Sequence, residues 1–369
     1  MTKLDPGQRV AVENACRFVA SGRPGCLWIG GLAGTGKTTV AQEIARRFPD
    51  APLLAPTNKA AAVLGKKLGR QAHTIHRAIM LYKGKAVDEE DGKLKPVFKD
   101  KSFNARLVLL DECSMVEEKL GNKLLACCNQ IIAFGDPGQL GPVGKNVLPF
   151  FKGKPNVTLI TNHRQGKAGD GIIRAAYAVR DGKRVFTIDS DEFTARCIPS
   201  DPTIWNLYFT NADRILCHQN KTRHTLNDGY RIFRGFTGPV RAGERLVAQR
   251  HILELGIIKS DDFRVLADWA PGTSLKLKSL DTEKVFHFKG AVIDKLNQPE
   301  PPDKVPFFAF GYVTTVHMAQ GSEWSHVLIV DDYVSDEYRK WSYTGFTRGA
   351  EQVTVLSDRF PITEGWIAA

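Results

Sequence analysis

Residues 26–40 read CLWIGGLAGTGKTTV, and this stretch decides the fold. A short apolar run, 26–29, passes into GLAGTGKT (31–38), which fits G-x-x-x-x-G-K-[ST], and a helix-like segment begins at Thr38. Strand, glycine-rich turn and helix are the flanks that a phosphate-binding loop needs. The glycines let successive backbone N–H groups turn inward around phosphate oxygens, and the helix N-terminus adds its positive end. Gly34, Thr35, Gly36, Lys37, Thr38 and Thr39 are therefore the expected nucleotide contacts, with Lys37 on the outer phosphates and the Thr38 hydroxyl a ligand for Mg2+.

Working outward, apolar runs at 53–55, 107–110 and 131–134 are each followed by a polar or glycine-rich turn. Short buried runs separated by helical segments predict a parallel sheet wrapped by helices, an α/β fold. Upstream, Asp5-Pro6 reads as an N-cap and first helical position, with Val10, Ala11, Asn14, Ala15, Phe18 and Val19 at near-helical spacing. Downstream, the run 107–110 ends in Asp111-Glu112. Alone, such a pair is an ordinary solvated strand end. Beside a phosphate loop it predicts Asp111 as the second Mg2+ ligand and Glu112 as the group that polarises an attacking water.

The chain has 369 residues, 43% hydrophobic and 25% charged, which excludes disorder as its main state. At about 150 residues per domain the length predicts two to three domains. No apolar run reaches the roughly 18 residues of a membrane helix, so no membrane role and a cytoplasmic location are expected. Seven scattered cysteines, none spaced C-x-x-C, argue against a disulfide framework or zinc ribbon. Lys and Arg number 51 against 40 Asp and Glu, a net charge of +11 that favours a polyanion, although basic enzymes with no nucleic-acid role carry the same surplus.

Between the core runs, LYKGKAVDEEDGKLKPVFKDKS (81–102) is a charged excursion with a hairpin turn signal at Asp91-Gly92. The core pattern resumes at 157–160, 169–180 and 215–217, so a second α/β domain is expected from residue 150. From 235 to 302, short runs at 245–249, 263–267, 275–280 and 285–288 read as a β-rich insert, and α/β character returns from Phe307.

Further segments then follow in the order found in superfamily 1B helicases, and the chain most closely resembles their RecD/Dda-like branch. LDPGQ carries Gln8 where the family reads adenine. APTNKAA (55–61) and HTIHRAI (73–79) resemble the first strand-contacting motifs, and LLDECSMV resembles motif II, with Cys113 where a small residue usually stands. GDPGQLGPV (135–143), TNHRQ (161–165), TTVHMAQGSEW (314–324) and YTGFTRG (343–349) resemble motifs III to VI, with Met318 where relatives often have lysine.

The resemblance implies two RecA-like parallel-sheet motor domains, 1–149 and 150–369, with a pin-like hairpin at about 80–102 in the first. The insert at about 235–302 occupies the place of an SH3-like domain that lines the DNA exit in relatives. It implies Gln139, Arg164 and Arg348 as γ-phosphate and transition-state contacts, with Gln320, Gly321 and Glu323 also at the nucleotide. Thr57, Asn58, His76, Phe98, Thr315 and His317 become single-strand contacts, although a Thr or His beside a strand end equally serves as a helix cap, and the hairpin equally serves as a solvated loop. His73 is left open between packing and contact.

The implied activity is an ATP-dependent, Mg2+-dependent helicase that moves 5′→3′ on single-stranded DNA, works at single-strand/duplex junctions as a monomer, and meets single-strand-binding or replisome and repair partners. The alternatives are a translocase that strips bound proteins and an ATP-gated binding subunit of a repair or recombination complex.

Overall fold

The computed structural model describes residues 4–87, 94–142, 151, 153–163, 170–183, 192–197, 209, 212–252, 255–257, 259–280, 282–295, 298–299, 301–302, 305–334 and 336–357. They fall into two compact units, Met1–Arg164 and Gln165–Ala369.

The first unit runs α1 (Pro6–Ser21), β1 (Gly25–Gly31), α2 (Lys37–Arg47), β2 (Leu53–Ala55), α3 (Asn58–Leu68), β3 (Ala72–Thr74), α4 (Ile75–Ile79), β4 (Met80–Val87), β5 (Leu94–Asp100), β6 (Ala105–Leu110), α5 (Glu118–Cys127), β7 (Cys128–Gly135) and β8 (Val157–Leu159). Six strands pair in parallel in the order β3-β2-β6-β7-β1-β8. The apolar runs are continuous rather than alternating because both faces are covered. Ile29, Leu53, Leu109 and Ile132 pack with α1 and α2 on one face, and Leu54, Val108, Leu110 and Ile131 with α4 and α5 on the other.

Asp5 caps α1 through a reciprocal box with Gln8, as the Asp-Pro start predicts. The buried stripe is Ala11, Val12, Ala15 and Val19, while Val10 is 48% exposed; the helix is rotated so that Val12 takes the inward place expected for Val10. β4 and β5 form a separate antiparallel pair, Met80 opposite Asp100 and Val87 opposite Leu94. The expected turn at Asp91-Gly92 lies outside the described residues.

Residues 157–160 were expected to open the second domain. Instead β8 pairs with β1, Ile29 opposite Val157 and Gly31 opposite Leu159. The first unit accordingly extends beyond residue 149, because the apolar run at 157–159 completes the edge of the first sheet.

The second unit contains α6 (Asp170–Arg180), β9 (Phe193–Cys197), β10 (Arg214–Cys217), α7 (Asn220–Phe233), β11 (Arg245–Ala248), β12 (Asp262–Val265), β13 (Ser274–Ser279), β14 (Val285–Lys289), β15 (Val292–Ile293), β16 (Phe307–Phe310), β17 (Val313–Thr315), β18 (Trp324–Val330), α8 (Tyr338–Phe346) and β19 (Gly349–Ser357). Its parallel sheet has the order β17-β10-β18-β19-β9. The insert is a second sheet, β14-β13-β12-β11-β16-β15, antiparallel except for β15 with β16.

The insert therefore extends beyond residue 302. β16, expected to begin the returning α/β segment, pairs with β11, and Phe308 packs edge-on against Phe263 and Phe288. An apolar run of this length suits a core strand of either sheet, so periodicity could not assign it.

Candidate functional site

The glycine-rich loop leaves the C-terminal end of β1 and turns into α2. Gly34 and Gly36 have φ of +84° and +79°, a left-handed backbone that glycine adopts without steric cost. A Cβ on Gly36 would lie 2.2 Å from Gln8 Nε2. No side chain caps α2, whose first N–H groups and positive dipole end are left for an anion. Thr35 is buried and its hydroxyl donates to the Leu32 carbonyl at 2.8 Å, so its side chain braces the loop. Thr38 and Thr39 lie in the first turn of α2.

Lys37 folds over this loop, its Nζ donating to the Gly31 carbonyl at 2.6 Å and to Leu32 at 3.1 Å. The same ammonium is 3.8 Å from Asp136, a fully buried carboxylate at the end of β7 that also accepts from the Gly138 N–H at 2.9 Å. Asp136 was not picked out from the sequence. Its signal was its place in GDPGQL, directly after an apolar run.

Asp111 and Glu112 follow β6. Burial, reinforced by the charge of Glu112, pushes Asp111 up to about 6, against the pull of the Glu112 backbone and Lys37. Glu112 has φ +50°, a strained conformation for a non-glycine residue that turns the chain sharply after Asp111. Burial and the neighbouring Glu112 both work against the Asp111 charge, which is the condition a bound cation relieves. Among the described residues no group of three or more His, Cys, Asp or Glu could hold a metal. Thr38 and Asp111 suit Mg2+ nonetheless, since that ion binds through one or two protein oxygens together with substrate phosphates and water.

Cys113 is wholly buried, and burial raises its thiol well above the ordinary value, so it is a packing residue. A Cβ on Gly135 would come within 2.5 Å of its sulfur. Gln139 is buried beside Asp136, its N–H donating to the Asp136 carbonyl at 3.2 Å, and its Oε1 has no hydrogen-bond partner.

Gln8 joins the same loop through a contact that sequence reading missed. The Asp5 N–H donates to Gln8 Oε1 at 3.1 Å, leaving Gln8 Nε2 3.0 Å from His163 Nε2 and 3.5 Å from the Thr35 carbonyl. His163 in turn is 2.6 Å from Asp5 Oδ2, and its backbone N–H donates to the Gly34 carbonyl at 2.9 Å. Burial raises the Asp5 carboxyl, but hydrogen bonds from Gln8 and His163 outweigh it and the net shift is downward. Arg164, the next residue, lies outside the described residues.

In the second unit the structure brings Arg348 to the 320–324 segment. Arg348 is buried; its guanidinium donates to Thr344 O at 3.0 Å, Ser322 O at 3.2 Å and Thr347 Oγ1 at 3.1 Å. Gln320 is buried, Gly321 has φ +76°, and Glu323 is exposed. Lys37, Asp111, Glu112, Gln139 and Gln8 thus belong to the first unit, and Arg348, Gln320, Gly321 and Glu323 to the second.

The expected strand contacts divide similarly. Thr57 caps α3, accepting from the Ala60 N–H at 3.1 Å; Asn58 opens that helix and His76 is exposed on α4. Thr315 accepts from the Met318 N–H at 3.3 Å, a capping role of its own. His317 is held below its ordinary value by burial and by His218, partly countered by Glu337. His73 is also lowered, by burial and then by Arg77 and Lys101. The side chain of Phe98 lies outside what is described.

Residues 3–193 match the AAA domain family, and 310–356 match the UvrD-like helicase C-terminal domain. The chain is 26% identical over 351 residues to the ATP-dependent RecD2 DNA helicase of Deinococcus radiodurans, covering 87% of this chain and 45% of that protein. It is 34% identical over 174 residues to the ATP-dependent DNA helicase dda of enterobacteria phage T4, covering 42% and 38%. The chain thus spans less than half the length of these relatives. A structure of Bacteroides Pif1 bound to ssDNA superposes with a TM-score of 0.62 at 16% identity, covering 100% of this chain and 95% of that one. Pif1 helicase from Candida albicans gives 0.55 at 16%, covering 96% and 94%. The fold is accordingly that of these structures, with two RecA-like parallel-sheet domains.

Proposed function

We propose that this chain, which belongs to the AAA domain family and carries the motifs of the RecD/Dda-like helicases of superfamily 1B, is an ATP-driven motor that moves along single-stranded DNA and separates duplex ahead of it. The observation that carries the reading is the first-unit site. An uncapped helix start, Lys37 poised over the loop and Asp111 buried beside Glu112 suit a nucleoside triphosphate with its metal.

In this reading Gln8 reads the adenine edge, the Gly34–Thr38 backbone and Lys37 hold the phosphates, and Glu112 takes the proton of the attacking water. Thr38 and Asp111 would hold Mg2+, which would supply positive charge to the outer phosphates. Gln139, Arg164 and Arg348 stabilise charge that peaks on the γ-phosphate in the transition state. Gln320, Gly321 and Glu323 support the nucleotide, while Thr57, Asn58, His76, Phe98, Thr315 and His317 grip the strand. The two units are motor domains, the β4–β5 hairpin is the pin, and the β-rich insert is the accessory domain. Pairing of β4 with β5 favours duplex separation over simple protein stripping. Direction 5′→3′, a monomeric state and a cytoplasmic location complete the proposal.

Steady-state ATP turnover measured without nucleic acid and with single-stranded DNA, RNA or duplex tests it. Strong stimulation by single-stranded DNA is expected, and none by any strand rejects the motor. Unwinding of partial duplexes with a 5′ or a 3′ tail tests direction; preference for the 3′ tail rejects the assignment.

A further inference from the structure

The loop that carries Arg348 is tied to the β-rich insert by a short chain of contacts through two residues outside the expected site. The Trp324 N–H, at the start of β18, donates to the Arg348 carbonyl at 2.9 Å. Between Trp324 and His326 the β18–β19 register shifts, and the His326 N–H is anchored at 2.9 Å to Asp213. Against that indole lies the guanidinium of Arg214, its Cζ 4.9 Å from the ring centroid.

Arg214 begins β10 and is 2% exposed. It donates to Asp262 on β12 of the insert at 2.6 Å and to the Gly311 carbonyl, where the chain leaves the insert for β17. Asp262 also accepts from Arg245 of β11 at 3.2 Å, and Arg245 returns to the Asp213 carbonyl at 3.0 Å. Burial works against the Arg214 charge and Asp262 supports it. A buried ion pair of this kind adds little net stability, because desolvation offsets the attraction, but it fixes geometry. An indole is the aromatic surface that best holds a cation.

From this geometry we infer that Trp324 and Arg214 are positioning residues for Arg348, setting the pose of its guanidinium from the insert. The inference rests on the proposed role of Arg348 in ATP turnover. A guanidinium displaced by about 1 Å stabilises a transition state far less than it binds a ground state, so the loss falls on kcat.

The test uses the full chain with saturating single-stranded DNA. Trp324→Leu is expected to lower kcat about tenfold with KM for ATP within about twofold of wild type, and Trp324→Phe, which keeps a ring under Arg214, to recover most of it. Arg214→Lys keeps the charge but loses the planar stack, and is expected to show the same split with a smaller loss. In an Arg348→Lys background, Trp324→Leu should cost less than about twofold further, because there is no arginine left to position. Losses that multiply, a rise in KM without a fall in kcat, or wild-type kcat in both Trp324→Leu and Arg214→Lys overturn the inference. If Trp324→Leu does not fold, Trp324→Phe and Arg214→Lys decide it by the same criteria. Wild-type turnover in Arg348→Lys itself would instead overturn the function on which the inference rests.

Discussion

The phosphate loop and the junction of the β-rich insert are both dense in buried charge, and they are balanced differently. At the loop, burial and then the charge of Glu112 raise Asp111 against the pull of Lys37, whose ammonium also lies 3.8 Å from Asp136. At the junction the buried Asp262 and Glu244 pair with Arg214 and with Arg231, the latter at 2.7 Å, and the half-buried Asp294 pairs with Arg223 at 2.9 Å. A carboxylate whose charge its surroundings oppose is suited to receive a cation, whereas a matched cluster is a joint.

The largest effect on stability is expected at the joint. Asp262→Ala leaves Arg214 buried beside no carboxylate of its own and is expected to destabilise the protein by about 3 to 5 kcal/mol, read by denaturant unfolding. A loss under about 1 kcal/mol would mean that the pair is idle. At the loop the corresponding effect is expected on turnover. Lys37→Ala should lower ATP turnover by about a hundredfold to a thousandfold while single-strand affinity stays within about threefold. Turnover within a few-fold of wild type would remove Lys37 from the phosphate site.

The two effects of Asp111 have opposite sign. Its proton affinity is raised in the folded state, so its ionised form costs stability above pH of about 6, and the cost disappears as pH falls through that value toward its ordinary range. Without nucleotide or metal, Asp111→Asn should therefore be more stable than wild type at pH 8 by about 1 to 3 kcal/mol, and the advantage should shrink by pH 5. Turnover should fall in the same variant at every pH, and apparent magnesium affinity of the wild type should weaken as pH drops below about 6, where protons compete with the metal. A variant less stable than wild type at pH 8 would show that Asp111 is already balanced. The smallest effect is at Thr57, where Thr57→Ala should cost about 1 kcal/mol through loss of the α3 cap and Thr57→Ser should restore it. Unchanged stability in Thr57→Ala would make the cap dispensable.

Four of the six parallel strands of the first unit, β1, β2, β6 and β7, and the positions of its loop residues were legible in the sequence alone. A covered strand must be apolar along its length and a phosphate loop must have glycine and lysine at fixed spacing, so local chemistry writes both into adjacent residues. Tertiary structure decided what depends on partners distant in the chain. Residues 157–159 and 307–310 are too short and uniformly apolar to declare which sheet they join; hydrogen-bonding neighbours in β1 and β11 made that choice. His163 reaches Asp5 and Gln8 across more than 150 residues, and Arg214 reaches Asp262 and Trp324 across strands of two sheets. No periodicity encodes such pairs, because an arginine bound for a buried carboxylate is the same letter as one bound for water until the fold removes the solvent around it.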